Sequence, residues 1–334
     1  MPVFLGNNSS ANIFLGNQRV QTVFAGSNLV YQFQQAIVSQ SVYFFMVAGG
    51  GSGGCGVGGG GGAGGVLRAG PSLPTSSLSL QTGTYVVNVG SGGRAVGANN
   101  NASPSGSKGQ NSTFSGSNYN LIASGGGAGK GYDYAVASSV NDGGSGGGYS
   151  ANATNNNSFG SGTLNQGNNG GVGDSGASAA GAGGGGFTAT GSKPTGAYPN
   201  GTGGSGGNGT NWVYRNGTSV AYAGGGGGGG YAQSSAPGNG VFGGSNGSNT
   251  STNPASASAN TGGGGGGSWR SADGSNNGIS GNGGSGIVII TYETGSAVGK
   301  SITGGIETTF FYAPDNLWYK SHTFLSGSSN LVIS

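Results

Sequence analysis

Residues 41–65 read SVYFFMVAGGGSGGCGVGGGGGAGG, a short apolar segment followed directly by nearly pure glycine. The apolar part, Ser41 to Ala48, is rich in β-branched and aromatic residues and therefore predicts a β-strand. From Gly49 to Gly65 almost every residue is glycine, which is a poor helix former. We therefore expect a strand that leads into an extended glycine segment, with no helix.

Glycine blocks recur along the chain, in which 85 of the 334 residues are glycine. Each glycine loses about 0.5–1 kcal/mol more on folding than alanine does, because its backbone is more flexible. Since glycine has no side chain to bury, backbone hydrogen bonds and close packing must offset this loss. The further blocks, some with single interruptions, are Gly125–Gly131, Gly143–Gly148, Gly183–Gly186, Gly201–Gly209, Gly224–Gly230, Gly262–Gly267 and Gly281–Gly286.

A helix of the polyproline-II type would satisfy both requirements. It has three residues per turn and no internal hydrogen bonds, so its amides and carbonyls point outward. When every residue is glycine, neighbouring segments can approach from all sides. The sequence therefore predicts an all-β plus irregular fold, in which short β-strands accompany a polyglycine-II-like sandwich and helix is almost absent.

Composition divides the chain into three regions. Residues 1–40 carry a repeat with a ten-residue spacing, in which a short strand pattern precedes a turn signal, as in Val3-Phe4-Leu5-Gly6-Asn7. This repeat predicts a small β-meander, which we interpret as an attachment module. Residues 41–294 form the glycine-rich domain and end in the continuous apolar run Ile287 to Tyr292, typical of a buried strand. Residues 295–334 form a C-terminal β segment.

Aromatic residues end several glycine blocks. At these positions they can cap the ends of the glycine segments and exclude water, or they can contact a ligand. We favour the capping role for this group, which comprises Tyr132, Tyr149, Phe187, Tyr231 and Trp269.

Three motifs resemble the glycine-rich domain common in bacteriophage tail proteins. Phe44 to Gly51 is similar to its opening strand, Tyr85 to Gly93 to its second strand and turn, and Gly283 to Tyr292 to its closing motif. The alternation of glycine blocks with polar segments also resembles the distal adhesins of T-even-like phages. In those adhesins glycine motifs form a polyglycine-II sandwich, and the loops between the motifs choose the receptor.

The resemblance implies that the polar segments between the glycine blocks contain the receptor loops. On this basis we expect them in residues 97–120, 150–170, 187–222 and 231–260. The segment Tyr319 to Phe324 resembles the one that usually precedes the opening strand, although here it lies near the C-terminus. We therefore expect it to pair beside Val42–Ala48, in the same or a neighbouring subunit.

Four aromatic residues in these segments are candidates for receptor contact. Tyrosine and tryptophan beside small hydrogen-bonding residues suit adaptable recognition, and aromatic faces suit saccharides. The alternative is that the rings pack beneath long loops and form a small hydrophobic cluster. The candidates are Tyr198, Trp212, Tyr214 and Phe242.

Other activities lack the residues that they would need. His322 and Cys55 are the sole histidine and cysteine and have no evident partner in the sequence, so we expect no enzyme, cofactor or metal site. Ten basic residues are scattered singly and make no basic stripe, which argues against nucleic-acid binding. The longest apolar run, Val42 to Ala48, is too short to insert into a membrane.

These observations predict a structural protein of a phage particle, most simply a tail-fibre adhesin. Its partners would be other virion proteins, through residues 1–40, and a host surface glycan or outer-membrane protein. By analogy with tail fibres we expect a homotrimer. The start of the sequence lacks a signal-peptide pattern, so we expect assembly in the host cytoplasm. The alternative is a capsid decoration or head fibre protein without a specific receptor.

Overall fold

The computed structural model describes most of the chain, which divides into two compact units, Met1–Val38 and Ser39–Ser334. In the first unit only backbone placement is described. The described residues are 14–15, 18–19, 22–25, 28–32, 39–71, 73–97, 103–117, 119–132, 140–151, 158–174, 179–231, 235–249, 252–271, 278–297 and 299–334.

The described residues of the first unit form two short antiparallel hairpins. Strand β1 (Phe14–Leu15) pairs with β2 (Gln18–Arg19), and β3 (Thr22–Ala25) pairs with β4 (Asn28–Gln32). Two copies of the ten-residue repeat therefore supply β1 and β3, as the strand pattern predicts. The first copy, at residues 3–7, lies outside the described residues.

The described residues of the second unit form three antiparallel sheets. A six-stranded sheet has the order β15-β16-β13-β5-β6, with β7 also paired to β5; a five-stranded sheet has the order β10-β9-β8-β17-β14; and β11 pairs with β12. A short 3-10 helix covers Thr294–Ala297. The strands are β5 (Ser39–Val47), β6 (Val66–Ala69), β7 (Leu78–Gln81), β8 (Gly83–Val89), β9 (Ser112–Gly116), β10 (Tyr119–Ala123), β11 (Thr210–Trp212), β12 (Val220–Tyr222), β13 (Ile287–Glu293), β14 (Ile302–Thr303), β15 (Ile306–Tyr312), β16 (Leu317–Phe324) and β17 (Gly327–Ile333).

Strand β13 is at the centre of the hydrophobic core. Its residues 287–292 are all buried, which confirms the strand type predicted from the continuous apolar run. Val288 and Ile290 belong to a cluster that includes Phe114 of the five-stranded sheet. Ile287 and Ile289 belong to a second cluster, formed with the hairpin β11–β12. The six-stranded sheet is therefore covered on both faces.

The C-terminal strand occupies a different position from the one predicted. Strand β16 joins the sheet of β5 within the same chain, but β13 lies between them, with Ile290 paired to Phe44 on one side and to His322 on the other. The expectation that the segment Tyr319 to Phe324 pairs directly beside β5 is therefore wrong. Strand β17 enters the five-stranded sheet beside β8 instead.

The glycine blocks form extended segments, here called rods, whose hydrogen bonds repeat every three residues. In rod 49–55 the amides of Gly49, Ser52 and Cys55 donate to carbonyls of the single neighbouring segment 104–110, at N···O distances of 3.0, 2.9 and 3.0 Å. A partner that recurs at every third residue requires three residues per turn, as in polyproline II. The predicted polyglycine-II-like scaffold is thus confirmed by its bonding pattern.

The other polar groups of rod 49–55 contact further rods around it. Its remaining amides donate to two segments, and its carbonyls accept from three more, so that the rod is bonded on all sides. The rod and its return segment are buried throughout residues 49–65. The five additional partners are residues 59–62, 281–284, 126–132, 265–268 and Gly93.

The spacing of the rods excludes side chains at many of the contacts. A Cβ on Gly264 would lie 1.9 Å from the carbonyl oxygen of Gly61, and one on Gly50 would lie 2.1 Å from that of Gly263. These are backbone atoms of neighbouring rods, so they cannot move aside as a flexible side chain would. Glycine is therefore required here by close approach.

The rods run side by side, so the bundle has two distinct ends. Rod 49–55 begins where β5 ends, and rod 58–65 returns to β6, so residues 56–57 turn at the end of the bundle far from the sheets. We call that end distal and the sheet end proximal.

Candidate functional site

A group of aromatic and cationic side chains lies at the distal end of the bundle. The amide of Tyr132 donates to the carbonyl of Cys55 at 3.1 Å, which places Tyr132 level with the distal turn. Tyr231 and Arg270 follow two rods that lead away from the sheets, and they form a parallel β-bridge. With Tyr198, these residues form what we call the distal tyrosine cluster.

Short contacts hold the distal tyrosine cluster together. The rings of Tyr198 and Tyr231 have centroids 5.3 Å apart, and their two hydroxyls share a hydrogen bond of 3.4 Å. The guanidinium carbon of Arg270 lies 4.0 Å from the ring centroid of Tyr132, a cation–π distance. The cluster therefore combines three rings with one positive charge.

Rod geometry fixes the most exposed member of the cluster. Tyr198 lies in a turn between two rods, and this turn is closed by reciprocal backbone bonds between Thr195 and Thr202 at 2.9 and 2.7 Å. The hydroxyl of Ser235, a buried residue, donates to the carbonyl oxygen of Pro199 at 2.8 Å. Tyr198 is nevertheless 59% exposed. Its ring is thus presented to solvent by an anchored turn.

The distal tyrosine cluster carries several groups that can contact a ligand. The hydrogen bond with Tyr198, together with partial burial, raises the pKa of Tyr231 above its ordinary value. The group offers phenol hydroxyls, apolar ring faces and a guanidinium. Such amphipathic rings provide contact area and hydrogen bonds at low conformational entropy cost.

The structure separates the four recognition candidates. Tyr198 belongs to the distal tyrosine cluster. Trp212 is buried and stacks on Phe45 with centroids 4.8 Å apart, so it packs in the core rather than on a contact surface. Tyr214 is also buried, and burial raises its pKa while its hydroxyl donates to Asp315 at 2.9 Å. Phe242 is half-buried in a proximal turn with a φ of 46°.

The segments expected to hold receptor loops contain regular structure as well. Within 97–120 the described residues include β9 and the start of β10, and within 187–222 they include the hairpin β11–β12. These parts are proximal and belong to the sheets. Other portions of the segments, such as the turn at Tyr198, lie at the distal end of the bundle.

The aromatic residues that end the glycine blocks lie mainly at the distal end. Of the five, Phe187 is proximal, since its amide donates to the carbonyl of Ala223 beside β12. Three of them lie beneath cations. Arg270 lies 4.0 Å from the ring centroid of Tyr132, and Lys130 over Tyr149 and Arg68 over Phe187 each lie 4.8 Å from the ring centroid. Tyr149 is buried and the other four are half-buried, as expected for rings that cap the rods. Arg68 and Arg270 were not identified from sequence because isolated cations carry no local signal.

Cys55 and His322 are both buried. The Cys55 thiol donates to the carbonyl of Val96 at 2.9 Å, and burial raises its pKa to about 11. His322 lies against Tyr292 with ring centroids 5.7 Å apart, and burial lowers its pKa. Burial among neighbouring segments explains the position of both residues.

Across the described part of the chain, His, Cys, Asp and Glu form no group of three or more that could hold a metal ion. Within the same residues, no helix has the length and apolar character that crossing a membrane requires.

Glycine rods bonded on all sides and attached to an antiparallel core define a glycine-rich all-β protein. The model of the glycine-rich domain family matches residues 26–293, which is most of the chain. The protein belongs to the glycine-rich domain family. No curated protein matches the sequence.

Proposed function

We propose that this protein is a non-enzymatic component of a phage tail fibre that binds a host surface receptor through the distal end of its glycine bundle. The observation that carries this proposal is the distal tyrosine cluster. Its Tyr198 ring is exposed on a turn that backbone bonds anchor to rigid rods. Membership of the glycine-rich domain family is compatible with this role but does not itself specify it.

The bundle supports recognition because it reduces the cost of binding. Rods bonded to several neighbours hold their turns in place before a partner arrives, and such preorganisation saves ordering entropy. Several copies on one particle would add avidity without any new contact. By analogy with tail fibres we propose a homotrimer. Residues 1–40 would join it to other virion proteins, and the receptor would be a host glycan or outer-membrane protein.

Immunogold labelling of intact particles tests the location. An antibody raised against residues 150–260 should label the periphery of the tail. Label distributed over the capsid would contradict the adhesin role and favour a decoration protein. Particles that lack the gene serve as the control for antibody specificity.

A further inference from the structure

A groove of about 900 Å³ lies beside β6, at the proximal end of the bundle. Strand β6 lines one side of the groove, and the turn and rod around residues 162–169 line the other side. Phe187 and Thr190 also line the groove. Its volume falls within the range of about 300–1,000 Å³ that is typical of ligand sites. The groove is distant from the distal tyrosine cluster, so its use is a separate question from the function proposed above.

Arg68 places an uncompensated positive charge in this groove. The side chain is half-buried, its Nη1 donates to Thr210 Oγ1 at 3.0 Å, and it lies over the Phe187 ring. In the part of the chain that the structure describes, no carboxylate lies within ion-pair distance of Arg68. Because a desolvated charge is costly without a counter-charge, a bound anion would stabilise this arrangement.

The backbone beside Arg68 offers an additional donor and acceptor. The Val66 amide points away from β5 and donates to the Gln166 carbonyl at 3.0 Å. Two residues on, the amide and carbonyl of Arg68 point the same way, because alternate residues of an antiparallel edge strand share one direction. No described backbone group bonds to them.

This edge is too short for an added β-strand. Of the three outward-facing residues, Val66 is bonded to Gln166, and the Gly70 amide is bonded to the Thr75 carbonyl at 3.0 Å. Only Arg68 remains open, and one open residue cannot support a ladder. The groove therefore suits a ligand with compact polar groups better than an extended peptide.

Two side-chain amides with fixed orientations lie on the side of the groove opposite β6. Asn168 Nδ2 donates to the carbonyls of Gly186 and Phe187 at 3.2 and 2.8 Å, which leaves its Oδ1 as an acceptor. Asn169 Oδ1 accepts from the Gly162 amide at 2.9 Å, which leaves its Nδ2 as a donor. A fixed acceptor beside a fixed donor matches the hydroxyls of a sugar ring.

We propose that this groove binds an anionic saccharide, with a carboxylate of the sugar paired to the Arg68 guanidinium. The sugar hydroxyls bond to Asn168 and Asn169. An apolar face of the ring lies against Leu164, which is 84% exposed at the rim.

Titration of the full chain with trigalacturonate, followed by calorimetry and saturation-transfer NMR, tests the proposal. Neutral galactotriose and triglutamate serve as matched probes, since the first lacks the carboxylates and the second lacks the sugar. We expect binding of trigalacturonate alone. The R68Q variant should weaken it by about tenfold or more, while R94Q, at an exposed position on another rod, leaves it unchanged.

Leu164 supplies a test that does not depend on the stability of an Arg68 variant. Because its side chain is exposed, L164D and L164K should both fold normally. We expect L164D to weaken trigalacturonate binding through charge repulsion and L164K to keep or strengthen it. The proposal is overturned if trigalacturonate does not bind, if galactotriose or triglutamate binds equally well, or if the two Leu164 variants behave alike.

Discussion

Gly264 and Gly61 approach so closely that a Cβ on Gly264 would lie 1.9 Å from the Gly61 carbonyl oxygen. The obstructing atom belongs to the backbone of the central return rod, which is itself bonded to its neighbours. G264A should therefore destabilise the fold by about 3 kcal/mol, the upper end of the cost of overpacking. Chemical denaturation monitored by tryptophan fluorescence measures the change.

G295A is the matched control for this glycine. There the nearest atom to a new Cβ is Glu293 Oε1 at 3.5 Å, an ordinary contact. We expect the free energy of unfolding to change by less than about 0.5 kcal/mol. Equal effects of G264A and G295A would show that the rods are not packed as closely as described.

Truncation to alanine should lower the stability of the fold strongly at Trp212 and hardly at all at Tyr198. Trp212 is buried against Phe45, so W212A should cost about 3–5 kcal/mol of stability through the cavity that it leaves. Tyr198 is exposed, so Y198A should leave the free energy of unfolding within about 0.5 kcal/mol of the parent protein. Thermal unfolding of both variants compares them, and a stable W212A would contradict the core position of the indole.

His322 should make stability depend on pH. Burial lowers its pKa in the folded state below the ordinary value of 6.5, so the unfolded chain binds the proton more readily. Stability from this group is therefore present above about pH 6.5 and falls as the pH drops towards the folded-state pKa. Glu307 and Lys320 pair near the ring, and the lowered pKa of Glu307 acts at more acidic pH.

H322Q isolates the contribution of the histidine. The melting temperature of the parent protein should fall between pH 7 and pH 5.5, and this slope should flatten in H322Q at about the same ionic strength. A slope that is unchanged in the variant would assign the pH dependence to other groups.

Cys55 should report on the opening of the bundle. Its thiol is buried at the end of the first rod, and its pKa is raised to about 11, so little thiolate exists at neutral pH. We expect an aromatic disulfide reagent to label Cys55 only after denaturation, with a rate in mild denaturant that follows unfolding. Rapid labelling of the native protein would contradict the central position of this rod.

Sequence patterns predicted the scaffold better than the site. The continuous apolar run of β13 predicts a strand that is buried on both faces. The glycine blocks predict extended rods whose hydrogen bonds repeat every three residues. Tyr198 and Trp212 have similar sequence surroundings of glycine, asparagine and threonine. Their different exposure depends on Phe45, far away in the sequence, which stacks on Trp212. The position of β13 between β16 and β5 likewise depends on tertiary contacts that the local sequence does not reveal.

The cationic residues of both proposed sites were not predictable for a related reason. Arg270 and Arg68 are isolated cations in the sequence. Each lies over an aromatic ring from a distant segment, Arg270 over Tyr132 and Arg68 over Phe187. A single sequence offers no signal for such pairs. Only the packing of the rods brings them together.

Adsorption of particles that carry Y198A tests the central claim most directly. W318A is the matched control, because Trp318 is a similarly exposed aromatic residue on β16, away from the distal end. If the distal tyrosine cluster binds the receptor, the adsorption rate should fall by about tenfold for Y198A and stay unchanged for W318A, with normal particle assembly in both. Unchanged adsorption of the Y198A particles, or an equal loss in both variants, would contradict the account.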